Sequence, residues 1–136
     1  MNLYGYVLGD PVNFVDPTGE FSLSSEALYQ VGLNGPLDSL GGYFDAVDAW
    51  KATESLFPDT NQRTGKANAF RHCYWSCLMA NRMGKETSLD IGAVHEVCGD
   101  NDMTDLLNNM SGANMFGGNC KQNCFDALYN GELSLD

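Results

Sequence analysis

The chain is 136 residues long, carries a net charge of −11, and has five cysteines but only two histidines. That length supports one core of ordinary size, and no apolar run approaches the roughly 20 residues that a membrane-spanning helix needs. The acidity repels phosphate backbones at long range and so argues against a nucleic-acid substrate.

The first twenty residues differ in character from the rest. A tyrosine-bearing stretch, NLYGYV, is followed by Pro11, four further residues, and then Asp16-Pro17-Thr18-Gly19. Proline fixes φ and glycine accepts φ > 0, so the tetrapeptide reads locally as a tight turn. In this order the elements closely resemble the PxxxxDPxG signature that closes the core of Rhs and other YD-repeat proteins. The resemblance implies that residues 1–20 are the tail of an Rhs core shell and that residues 21–136 are the variable toxin domain that follows it. It also implies two partners, the shell itself and a cognate immunity protein. Glu20 stands where family members have leucine, next to the point at which many of them cut themselves. The segment lacks the basic region and apolar block of a signal peptide. The expectation is therefore cargo, delivered by a secretion machine into a target bacterium. Asp10, Asp16 and Glu20 belong to the tail, which leaves −8 for the remaining residues.

Beyond the tail the pattern is helical. Ser24 and Ser25 can cap a short helix with Leu28 and Val31 on one side, closed by Gly32 and the turn Asn34-Gly35-Pro36. A second helix fits residues 43–57, with Phe44, Val47, Trp50 and Phe57 as a buried stripe and Pro58 as its stop. Asp59 to Gly65 reads as a loop. Residues 66–83 and 86–98 follow as helices, then a short one over 103–110 with Met103, Leu106, Leu107 and Met110 inward. A glycine-rich link from Ser111 to Asn119 leads to a last helix over about 121–129. The expected fold is mostly α, a small bundle of five to six helices with no strand after Phe21. Between Asp59 and Lys85 lie five basic residues, Arg63, Lys66, Arg71, Arg82 and Lys85, either a local binding face or a solvated helix surface.

Four cysteines form two CxxxC pairs, Cys73 with Cys77 and Cys120 with Cys124, and residues four apart share a helix face. Two antiparallel helices bearing such pairs can be stapled twice, Cys73 to Cys124 and Cys77 to Cys120, although four cysteines allow three connectivities. A zinc site of four thiolates and buried free thiols are the rival readings. Disulfides suit a protein that acts outside a reducing cytosol. Cys98 is left over.

The polar residues gather in three consecutive helices. Asn68, His72 and Trp75 fall on one face of the 66–83 helix, with Arg71 at its edge and the cysteines a quarter turn away. The next helix carries His95 and Glu96. The one after carries Asp105, Asn108 and Asn109 on the side opposite its leucines. NAFRHxxW, then HE, then DxxNN also resembles a helical domain found at the C-termini of polymorphic toxins and phage-like proteins, over roughly residues 61–118. That resemblance supports a site without naming a reaction. Each residue also has a purely structural reading: a core histidine for His72, a helix-entry acid beside the Asp102 cap for Asp105, a helix end for Asn108-Asn109.

As a site, His72, His95, Glu96 and Asp105 are the catalytic candidates and are expected to share one pocket. Asn68, Arg71, Asn108 and Asn109 are expected to bind substrate, with Arg71 and Asn109 at the rim. A histidine beside a carboxylate makes a general base for water. Alternatively His72, His95 and Asp105 hold a divalent ion such as zinc while Glu96 activates a bound water. Both lead to hydrolysis. An acidic, disulfide-bonded toxin domain fits the periplasm and cell envelope, so lipid or peptidoglycan is the expected substrate. A nuclease and a non-enzymatic, membrane-disrupting toxin are the alternatives, and the absence of a basic amphipathic face speaks against the latter.

Overall fold

The computed structural model describes residues 23–98 and 102–135, with residues 23–39 and Cys98 described by their backbone alone. Five helices follow one another, and no strand occurs among the described residues: α1 Leu23–Leu56, α2 Gly65–Met83, α3 Lys85–Cys98, α4 Met103–Ala113 and α5 Cys120–Tyr129. The mostly helical, single-bundle expectation holds. The tail expected over residues 1–20 lies outside the described residues.

The helix boundaries follow local chemistry. One residue, Gly84, separates α2 from α3, and its φ of 96° is a conformation that side-chain-bearing residues rarely adopt. Asp102 caps α4 by accepting from the Thr104 N–H at 2.8 Å, and Asn119 caps α5 by accepting from the Gln122 N–H at 3.1 Å. The α4 helix runs on to Ala113, past the end expected near residue 110.

α2 is the hub and packs against all four other helices. One core cluster, around Phe57, Phe70 and Leu128, joins the loop after α1 to α2 and α5. A second, around Trp75, Met79 and Ile91, joins α1, α2 and α3. Both disulfides link α2 to α5 in the nested arrangement, Cys73–Cys124 and Cys77–Cys120, with Cα atoms 5.9 and 5.7 Å apart. Of the three connectivities the spacing leaves open, the structure has the nested one, and a four-thiolate metal site is excluded because the sulfurs are bonded to each other.

Three expectations are corrected. The two helices read on either side of Asn34-Gly35-Pro36 are one, because the backbone stays helical through Pro36. An interior proline costs a helix about 3 kcal/mol.

The stripe expected on this helix is only partly inward: Phe57 is buried and Val47 and Trp50 are half-buried, but Phe44 is 50% exposed, while Asp45, Ala46, Ala49 and Thr53 are buried. Small residues let α1 approach closely, and Trp75 Nε1 donates to the Gly42 carbonyl at 2.9 Å.

Most consequential is α4, which is inside out. Met103, Leu107 and Met110 are exposed, while Asn108, Asn109, Gly112 and Ala113 are buried. The reason is Gly112. A Cβ there would run into the carbonyl group of Cys73, with Cys73 Cα only 2.9 Å away, so this face alone lets α4 seat on α2.

Candidate functional site

The inverted helix turns its polar residues toward α2 and α3, and His72 sits where the three meet. His72 is 2% exposed. Its Nδ1 lies 3.1 Å from Asn109 Oδ1 on α4 and 3.7 Å from Glu96 Oε1 on α3. Its Nε2 lies 3.3 Å from Asp105 Oδ2 on α4. In the tautomer protonated at Nδ1, that nitrogen donates to the Asn109 carbonyl oxygen and the Nε2 lone pair is turned toward Asp105; in the other tautomer Nε2–H donates to the Asp105 carboxylate.

Behind Asp105 a relay holds the carboxylate. Asn68 Nδ2 donates to Asp105 Oδ1 at 2.6 Å, and Arg71 Nη2 donates to Asn68 Oδ1 at 2.7 Å. The Arg71 guanidinium lies over the Trp50 ring, 5.0 Å from its centroid. Periodicity marks Trp50 only as part of an apolar stripe; its contact with the arginine has no periodic signature.

The electrostatics follow from burial. Desolvation, then the positive fields of Arg71 and His95, hold the His72 imidazolium well below its ordinary 6.5, partly offset by the Asn109 hydrogen bond. Desolvation likewise pushes the Glu96 carboxyl up to about 8; His95 and Arg71 pull it down, and the Asp105 and Asp102 carboxylates push it further up. Glu96 Oε1 is buried with no hydrogen-bond partner. Of the three, Asp105 is the most open to solvent, with 16% of its side chain exposed.

The convergence expected of the four catalytic candidates is present, since the His72 and His95 rings are 6.4 Å apart between centroids. Their roles divide differently from the expectation. His72, Glu96 and Asp105 each offer one ligand atom within 4.8 Å of the others, and His95 is not part of that set. The reason is helical geometry: consecutive residues point about 100° apart, so His95 and Glu96 cannot aim at one spot. His95 instead packs edge-on against Trp75 at 5.2 Å.

Arg71 and Asn109 do not form a rim. They are 3% and 1% exposed and support the cluster from behind. The Asn108 amide is taken up by the C-terminal segment, donating to the Ser134 carbonyl and accepting from the Ser134 N–H, both at 2.8 Å. The five basic residues form no common face: Arg71 is buried, Arg82 is bound to Asp45 at 2.8 Å, and Lys66 lies over Tyr129. A separate hollow of about 270 Å³, lined by Leu56, Asn119, Lys121, Gln122 and Phe125, contains none of the clustered groups.

Fold and site together define an all-helical, doubly disulfide-stapled domain built around a buried histidine–carboxylate centre. The chain belongs to the family described as a domain of unknown function, DUF6973, whose model matches residues 30–131 and so takes in every member of the cluster. No solved structure matches the chain. No described helix is long and apolar enough to cross a membrane.

Proposed function

We propose that the chain is the toxin end of an Rhs-type polymorphic toxin, a hydrolase of the cell envelope centred on His72, Glu96 and Asp105 and neutralised by a cognate immunity protein. The observation that carries the reading is the inversion of α4. Burying Asn108 and Asn109 and half-burying Asp105 while exposing Met103, Leu107 and Met110 reverses what solvation alone favours. Such reversals concentrate where a fold gives up stability for chemistry. In the proposed reaction, water adds to a hydrolysable bond at the open, Asp105 side of the cluster. Its proton passes to the cluster and returns to the leaving atom. Asn68 and Arg71 hold Asp105, and Asn109 holds His72, so the four residues expected to grip substrate act instead as positioning groups or, for Asn108, as an anchor of the C-terminal segment.

The envelope is preferred because both disulfides require an oxidising compartment to form, and because the net charge of −11 disfavours nucleic acid. The test is bacterial expression of the whole chain with and without an export signal. Death is expected only with export, and His72→Ala or Asp105→Asn should reduce killing by at least about a hundredfold, the lower range for losing general acid–base chemistry. Killing that survives both substitutions overturns the hydrolase. Killing that needs no export overturns the envelope as its target.

A further inference from the structure

Three side chains from three different helices bring metal-ligating atoms close together. His72 comes from α2, Glu96 from α3 and Asp105 from α4, and their nearest ligand atoms lie within 4.8 Å of one another. His72 Nδ1 lies 3.1 Å from Asn109 Oδ1, so the tautomer protonated at Nδ1 offers the ligand atom Nε2. Asp105 uses Oδ1 to accept from Asn68, which leaves Oδ2 3.3 Å from that nitrogen. Glu96, 5% exposed, keeps Oε1 without a hydrogen-bond partner. A buried orphan acceptor such as Glu96 Oε1 forfeits about 1–3 kcal/mol.

We infer that His72, Glu96 and Asp105 bind one divalent transition-metal ion of the zinc or manganese type. One imidazole and two carboxylates form a mixed nitrogen and oxygen donor set suited to such ions. Ligand atoms about 2.0–2.2 Å from an ion sit roughly 3–4 Å from each other, so the three groups need to draw together by only about an ångström. Three protein ligands leave positions open for water, as hydrolytic metal sites require. Around the three groups, Asn109 hydrogen-bonds the imidazole at Nδ1, and Asn68, itself held by Arg71, orients the Asp105 carboxylate. Such an ion lowers the pKa of a bound water toward ~7. Its catalytic use rests on the hydrolase reading above; its presence does not.

The experiment is equilibrium dialysis of the whole, disulfide-intact chain against zinc chloride or manganese chloride, read by elemental analysis and titration calorimetry. One equivalent of at least one ion is expected. Glu96→Gln and Asp105→Asn should each weaken binding by at least tenfold, and Asn109→Ala by a smaller factor, with circular dichroism confirming helix content. Failure of both ions to bind, or binding unchanged in both Glu96→Gln and Asp105→Asn, overturns the metal centre. The two readings fail separately. His72-dependent killing by a chain that binds no ion leaves a metal-free hydrolase, whereas stoichiometric binding by a chain that does not kill leaves the metal centre and removes the hydrolase.

Discussion

Replacing Glu96 by glutamine in metal-free protein isolates the electrostatic cost of the cluster. Burial is the first reason that the carboxyl is pushed up to about 8 from its ordinary 4.5. Below pH 4.5 the folded and unfolded chains both hold the proton, and no charge is penalised. As pH rises from 4.5 toward 8 the unfolded chain releases a proton that the fold retains, so this group makes stability fall across that window and level off above it. At 1.36 kcal/mol per pKa unit the loss is of the order of 3 kcal/mol at pH 7.

His72 acts in the opposite sense. Held well below 6.5 in the fold, it penalises folding as pH falls beneath 6.5, because only the unfolded chain takes up the proton readily. Metal-free wild type should therefore be most stable at mildly acid pH, and Glu96→Gln should remove the alkaline fall alone. Thermal unfolding followed by circular dichroism in chelator, across about pH 5 to 8.5, should show the variant melting roughly 10 °C above wild type near neutrality, at about 3–5 °C per kcal/mol for a chain of this size. The gap should close toward pH 5. Parallel curves, or a variant less stable at every pH, would refute the assigned burial of charge.

Gly112→Ala should be among the most damaging small substitutions, since the added Cβ meets Cys73 backbone and no side chain can move aside; a loss of about 3 kcal/mol or more is expected by denaturant titration, and a loss below 1 kcal/mol would show that α4 is not seated there. Alkylation without reductant should modify Cys98 at most, and reduction should remove about 2–4 kcal/mol per bridge; mass spectrometry showing five modified thiols before reduction would contradict the nested pairing.

What the sequence determines here is local. Gly84 ends one helix and begins the next because only glycine readily accepts its backbone angles, and Asp102 and Asn119 supply acceptors for orphan N–H groups. Matched CxxxC spacings set up two bridges between two helices, and the scarcity of histidine points to the region where the polar groups meet.

Which face of each helix turns inward was decided only by tertiary structure. Periodicity assumes that polar faces go to water, which fails where polar groups satisfy one another and where a glycine permits close approach. Gly112 seats the polar side of α4, and Gly42 with Ala46 and Ala49 seats the small side of α1, so the exposed Met103 and Phe44 are misread from the same cause. The replacement of His95 by Glu96 in the proposed ligand set has a different origin. Adjacent helical residues differ by about 100° in direction, and only the rotation of α3 against α2 and α4 selects which of them faces His72.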